Sequence, residues 1–274
     1  MQTIVQANGA AIPAIGLGTW TLRGEDCVRA VSAALRTGYR HVDTAAAYGN
    51  EEAVGEGLRA GGVDRDAVFV TTKVWYEDIG PGDLERSAEA SLKRLGLDRV
   101  DLLLIHWPNR DVPLRGSIAA LCAARRRGLT RHIGVSNFPV RLLDEAVALA
   151  DAPIVANQCE YHPRLDQSRL MAACRRHGVA FVSYAPLGRT EILRDDTVRA
   201  IAADRGRSPA QVVLRWHVQQ GCVAIPKSGD EGRIAENLAV FDFALSEAEM
   251  ARLSALARPD GRMISPAWAP DWDR

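Results

Sequence analysis

Four side chains in this sequence have types and surroundings suited to moving a proton. Asp43 ends a short β-branched run, Tyr48 follows five residues later, Lys73 stands near the end of Val68–Val74, and His106 closes the apolar run from Val100. An ionisable side chain in such a stretch is costly unless partnered, so Asp43 and Lys73 are expected to pair across neighbouring strands. A tyrosine beside a lysine cation is a candidate general acid: its ordinary pKa of about 10 is too high for easy donation near neutrality, and the cation is expected to lower it. His106 can orient a polar substrate by hydrogen bonding. Each residue also has a plainer use, since an Asp after a strand caps helices, a Tyr packs at a strand end and a His satisfies a carbonyl. Lys73, flanked by Thr71-Thr72 and Val74-Trp75, has the fewest plain uses. A lysine so placed also suits Schiff-base chemistry, as in an aldolase.

Such residues need a scaffold that brings strand ends together. Candidate strands are Ile15–Thr19, His41–Thr44, Val68–Val74, Val100–His106, His132–Ser136, Ile154–Glu160, Ala180–Tyr184 and Val223–Pro226, eight in all, each followed by an amphipathic stretch. Several are apolar on both faces, as strands buried on both sides read. Leu84, Ala88, Leu92 and Leu95 fall at helical spacing, Ser208-Pro209 offers an N-cap with proline at the first helical position, and Ser246-x-x-Glu249 has the form of a capping box. Eight strand–helix units in one unbroken chain predict an α/β protein, a (β/α)8 TIM barrel, as a single domain over 1–274. Asn8-Gly9 within Thr3–Pro13 predicts a hairpin plugging the barrel bottom. Gly55-x-Gly57-x-x-Ala60 matches a relaxed dinucleotide fingerprint, but it follows the start of a helix where a strand is required, so a Rossmann domain is rejected.

Composition narrows the rest. The 274 residues are 47% hydrophobic and 25% charged, with 34 basic and 34 acidic residues cancelling to zero net charge. No overall positive field favours nucleic acid or anionic lipid. Only three of the 34 basic residues are lysines, Lys73, Lys93 and Lys227, in a chain that otherwise uses arginine. Five scattered cysteines without a C-x-x-C pair suggest neither a disulfide framework nor a zinc knuckle. The other five histidines show no metal-binding spacing. There is no basic leader followed by an apolar stretch, and no run approaches the roughly 18 apolar residues of a membrane helix. The expectation is a cytoplasmic, monomeric protein acting on a small molecule.

Five ordered motifs span nearly the whole chain. They are Gly38-x-Arg40-x-x-Asp43-Thr44-Ala45-x-x-Tyr48-x-Asn50-Glu51, Asp101-Leu102-x-x-Ile105-His106-Trp107-Pro108, Gly134-Val135-Ser136-Asn137-Phe138, Asn157-Gln158-x-Glu160-Tyr161-His162-Pro163, and Ile225-Pro226-Lys227-Ser228 with Arg233 and Glu236-Asn237. Together they resemble the aldo-keto reductase superfamily, and most closely its small bacterial members that reduce diketo sugar acids and methylglyoxal-like carbonyls. The resemblance implies NADPH-dependent carbonyl reduction, with NADH as the second possible cofactor. Tyr48 is then the proton donor, Lys73 its electrostatic partner, Asp43 the residue holding Lys73, and His106 the one orienting the carbonyl.

The same resemblance assigns Ser136, Asn137 and Gln158 to the nicotinamide amide, Tyr184 to stacking on the ring, and Thr19, Trp20 and Asp43 to the ribose region. Pro186, Leu187 and Gly188 would wrap the pyrophosphate and adenosine together with Ile225, Pro226, Glu236 and Asn237. Lys227, Ser228 and Arg233 would take the 2′-phosphate, as cations beside a helix N-terminus can. Gly229 and Asp230 replace the larger apolar and neutral polar residues usual there, and an acid beside a phosphate is unhelpful. Trp20, Trp75 and Trp107 would wall the substrate pocket, with Trp268, in a tail folded over the barrel mouth, as a further contact. Two other readings compete: a Schiff-base aldolase built on Lys73, and a cofactor-binding regulatory subunit without turnover.

Overall fold

The computed structural model describes residues 3–273; Met1 and Gln2, where the leader reading begins, and Arg274 lie outside that range. The chain opens with the predicted hairpin, β1 (Ile4–Ala7) and β2 (Ala10–Pro13). Asn8 and Gly9 take φ of 45° and 88°, the paired left-handed backbone of a type I′ turn. Asn8 Nδ2 donates to the carbonyls of Ile154 (2.8 Å) and His177 (2.9 Å), which fixes the hairpin across the barrel bottom.

Eight parallel strands follow: β3 (Leu17–Gly18), β4 (His41–Asp43), β5 (Phe69–Val74), β6 (Val100–Ile105), β7 (Thr130–Ser136), β8 (Ile154–Glu160), β9 (Ala180–Tyr184) and β10 (Val223–Ala224). They pair in sequence order, and the sheet closes where Gly16 N–H donates to Ala224 O at 2.9 Å and Gly18 N–H to Pro226 O at 3.0 Å. The seam is tight: a Cβ on Gly18 would lie 2.7 Å from Ile225 O, so only glycine fits. This is the (β/α)8 barrel that the alternation predicts. The last strand is shorter than expected because Pro226 has no N–H to continue the ladder.

The doubly apolar strands face two cores. Leu102 and Leu104 point into the barrel with Ile12, Val155, Val182 and Val223, whereas Leu103 and Ile105 face the helical layer. The helices are α1 (Gly24–Thr37), α2 (Glu51–Ala60), α3 (Asp83–Leu95), α4 (Leu114–Arg126), α5 (Val140–Leu149), α6 (Ser168–Arg176), α7 (Asp196–Arg205), α8 (Pro209–Gln219), α9 (Glu231–Leu238) and α10 (Glu247–Ser254). Ser208 caps α8 with Pro209 at its first turn and the predicted capping box at Ser246 starts α10, while Gln211 completes a box at Ser208 that the sequence reading did not name. The rejected dinucleotide pattern lies inside α2, where a Cβ on Gly55 would sit 2.1 Å from Leu95 O, so that glycine serves close helix packing. All five cysteines are buried and unpaired; burial pushes the Cys27 thiol up to about 11 and those of Cys159 and Cys222 to about 12. No helix among the described residues is long and apolar enough to cross a membrane.

Candidate active site

Strand alternation and register deliver the four proton-handling residues to one place. On β5 the side chains of Val70 and Val74 pack into the helical layer, which turns Lys73 inward. Asp43 ends β4, beside Thr71 in the ladder, and His106 directly follows β6, its N–H bonded to Val74 O at 2.9 Å. Tyr48 ends a 3-10 turn, Ala46–Tyr48, closed by Gly49 at φ 62°. That loop is held by Asn50, which accepts from Thr44 Oγ1 (2.8 Å) and donates to the carbonyls of Thr19 (2.9 Å) and Leu22 (3.1 Å).

Lys73 is fully buried and its Nζ donates to Asp43 Oδ1 at 2.5 Å, to Thr44 O at 2.8 Å and to the Tyr48 hydroxyl oxygen at 3.3 Å. An ammonium has three protons, and all three are engaged. Burial favours the neutral amine, but Asp43 and Tyr48 outweigh it, and the Lys73 pKa is raised. Because Lys73 donates to the Tyr48 oxygen, the tyrosine's own hydrogen is free to point into the cavity. Burial raises the Tyr48 pKa, and Lys73 only partly offsets it. This reverses the direction expected from the sequence, because desolvating a phenolate costs more here than one cation returns. Tyr48 is therefore a neutral phenol at neutral pH.

His106 lies against Tyr48 and Trp75, with ring centroids 5.6 Å and 5.2 Å away at edge-on angles. Burial first, and Lys73 second, hold its pKa well below the usual histidine range, so the ring is neutral. Its Nδ1 is enclosed without a partner. A buried bare ring nitrogen costs less than a buried N–H with no acceptor, which places the proton on Nε2, the nitrogen left to meet the cavity.

A cavity of about 1020 Å³ runs from this cluster across the barrel mouth to α9. Its wall includes Thr19, Trp20, Asp43, Tyr48, Trp75, His106, Trp107, Asn137, Gln158, Tyr184, Pro186, Leu187, Ile225, Pro226, Lys227, Ser228, Arg233, Glu236 and Asn237. Lys73, Ser136, Gly188 and Trp268 stand behind it. Lys73 meets the wall through its bond to the Tyr48 hydroxyl oxygen, and Ser136 Oγ donates to Gln158 O at 2.7 Å. Gly188 turns the chain at φ 52° against Ile192. Trp268 stacks on Tyr76 at 4.5 Å and meets Trp75 and Trp107 edge-on, with one side on a second cavity of about 360 Å³. The polar groups near the catalytic end already bond one another: Gln158 Nε2 to Asp43 Oδ2 at 2.7 Å, Tyr184 OH to Asn137 Oδ1 at 2.8 Å, and Asn137 Nδ2 to His106 O at 3.0 Å.

The wall also contains residues that the motifs do not mark: Arg189, Thr190, Leu193, Arg194 and Ile264. Arg189 and Thr190 adopt left-handed backbone, φ 49° and 76°, which nothing in their residue types announces. The Arg189 guanidinium lies 5.6 Å from the Trp20 ring centroid, bridging the cavity's edge. At the far end Lys227 and Arg233 are exposed and, among the described residues, form no ion pair. Asp230 caps α9 through its side chain, accepting from Arg233 N–H at 2.8 Å. An elongated cavity with a buried phenol at one end and, at the other, two cations without an ion pair among the described residues has the shape and charge to fit a nicotinamide dinucleotide.

The Aldo/keto reductase family profile matches residues 14–258. Among curated proteins the chain is 42% identical over 259 residues to "Glyoxal reductase" of Bacillus subtilis (strain 168), covering 94% of each. It is 44% identical over 265 residues to "Morphine 6-dehydrogenase" of Pseudomonas putida, covering 91% of this chain and 89% of that one. Among solved structures, the Bombyx mori aldo-keto reductase in complex with NADP superposes with a TM-score of 0.90 at 35% identity, covering 97% of this chain and 96% of that one. The chain belongs to the aldo/keto reductase family and is an oxidoreductase.

Proposed function

We propose that this protein reduces small aldehydes and ketones to alcohols with NADPH, using Tyr48 as general acid. One observation carries the reading: Lys73 spends its three protons on Asp43, Thr44 and Tyr48, which aims the Tyr48 proton at a cavity faced by a neutral His106. A bound nicotinamide would supply the hydride. Tyr48 gives its proton to the carbonyl oxygen as negative charge grows there. Lys73 stabilises the phenolate that is left, and Asp43 keeps Lys73 charged and in place. His106 Nε2 donates to the same oxygen and sets the carbonyl's orientation. Trp20, Trp75 and Trp107 limit water at the reacting centre. General acid catalysis of this kind contributes about 10²–10⁴-fold.

Cofactor positioning falls to Asn137, Gln158 and Tyr184 at the nicotinamide, with Ser136 fixing Gln158, and to Lys227, Ser228 and Arg233 at the 2′-phosphate. One relative's name makes glyoxal a first substrate to try, and another's, a morphine 6-dehydrogenase, adds a bulky ring ketone. The aldolase reading loses support because a lysine held as an ammonium has no lone pair to attack a carbonyl. Loss of NADPH absorbance with glyoxal, a 2-keto acid and an aromatic aldehyde tests the proposal, and NADH run alongside tests the cofactor preference. Absence of turnover on every carbonyl, with intact cofactor binding, would instead favour the regulatory subunit; borohydride trapping of Lys73 would favour the aldolase.

A further inference from the structure

A carboxylate outside the catalytic cavity ties together two segments that cover it. Glu160 ends β8 and is fully buried. Its Oε1 accepts Met263 N–H at 2.8 Å and faces His162 Nε2 at 3.0 Å, while its Oε2 accepts Ile264 N–H at 2.9 Å. A buried carboxylate without donors is strongly disfavoured, so these contacts hold Glu160 and the tail against each other. From Gly261 onward the tail contains neither helix nor strand among the described residues, and its other ties lie further along, where Arg110 meets Ala269 O and Asp271, and Asp273 accepts Val140 N–H. Ile264 is the tail residue on the wall of the catalytic cavity, and Trp268, four residues on, packs among Trp75, Tyr76 and Trp107.

The second connection runs through His162. A Cβ on Gly188 would lie 3.7 Å from the His162 ring, so His162 packs beneath the turn that begins the Gly188–Arg194 segment. That segment places Arg189, Thr190, Leu193 and Arg194 on the cavity wall. Asp43, Tyr48, Lys73 and His106 make no hydrogen bond to Glu160; its carboxylate's partners are His162 and the tail.

We propose that Glu160 is a positioning residue that fixes Ile264 and the tail at the substrate end of the cavity and so sets the affinity for bulky carbonyl substrates. The kinetic part rests on the carbonyl-reductase reading; the structural part does not. In Glu160→Gln the carboxamide turns an N–H₂ toward one of the two backbone donors, replacing attraction with repulsion while keeping the side chain's shape. Amide hydrogen exchange at Met263 and Ile264 should accelerate at least tenfold, with β4–β6 unchanged. For an aromatic aldehyde KM should rise at least tenfold while kcat falls less than threefold, and KM for glyoxal should move much less.

Met263→Pro removes one of the donated N–H groups without touching Glu160 and should give the same KM-against-kcat split. Combined with it, Glu160→Gln should add little. Unchanged exchange at 263–264 in Glu160→Gln, or an equally large further rise in KM in the Met263→Pro background, would overturn the proposal. If Glu160→Gln fails to fold, Met263→Pro decides alone, through amide exchange at Ile264 and its KM reading. If the wild-type chain reduces no carbonyl, the function reading fails, and the exchange experiment still decides whether Glu160 holds the tail.

Discussion

The two ends of the long cavity are built on opposite principles. At the catalytic end Asp43, Lys73 and His106 sit on or next to central strands, Lys73 and Asp43 are 0% and 1% exposed, and each ammonium proton has an acceptor. At the α9 end Lys227, Arg233 and Asp230 are exposed, the two cations form no ion pair among the described residues, and the acid is committed to capping a helix. The buried end gains from low dielectric and fixed geometry, so its charges act strongly and cannot be rearranged cheaply. The exposed end leaves its cations available to a ligand, at the cost of screening by salt. On the proposed reading the contrast teaches where specificity is open to change: the buried cluster would tolerate little, whereas cofactor preference would rest on a few surface side chains.

The comparison is broken most severely at Tyr48. Tyr48→Phe should retain cofactor affinity within about twofold by fluorescence titration while kcat falls by about 10²–10⁴; an unchanged kcat would remove Tyr48 from the mechanism. Lys73→Met comes next. Reduction needs the protonated phenol, and burial raises its pKa, so wild-type kcat should stay flat through neutral pH and fall only on the alkaline side. Removing Lys73 deletes the largest influence lowering that pKa, so the alkaline limb should move to higher pH and the plateau should drop. A pH profile identical to wild type would contradict the pairing.

At the exposed end the effects should be smaller and salt-dependent. Arg233→Ala should weaken NADPH binding by about ten- to a hundredfold, the worth of a charge-assisted hydrogen bond, while NADH binding stays the same. Raising ionic strength should shrink that difference. Asp230→Asn keeps a good helix cap and removes a negative charge, so NADPH affinity should rise a few-fold with no change for NADH, and calorimetry with both cofactors reads it. Equal gains for both cofactors would mean that Asp230 acts on the fold of α9 rather than on the phosphate.

Much of this was legible in the sequence because strands buried on both faces cannot hide. The continuous run Val100–Ile105, the lysine inside Phe69–Val74 and the Asn8-Gly9 turn each constrain structure through their residue types. Two of the five ordered motifs contain Asp43, Tyr48 and His106, and Lys73 stands on the strand between the one that Asp43 ends and the one that His106 follows. What the sequence did not disclose depends on backbone shape or on competing energies. Arg189 and Thr190 reach the wall through left-handed conformations that their side chains do not favour. The direction of the Tyr48 shift turns on burial against one cation, a balance that spacing does not contain. Ile264 lies in a tail without periodicity, and the donors that reveal Glu160's role are backbone N–H groups a hundred residues away.

The buried thiols carry a consequence for durability. Aldehydes are electrophiles, and the nucleophile that a cysteine offers them is the thiolate. All five cysteines are enclosed, and burial holds Cys27, Cys159 and Cys222 far above neutral pH in their pKa, so a folded chain working among reactive carbonyls presents almost no sulfur for adduct formation. With Lys73 locked as an ammonium, only Lys93 and Lys227 remain as exposed side-chain amines. The folded chain is thereby poor in thiol and amine targets, and its exposed arginines are the side chains left to meet a dicarbonyl.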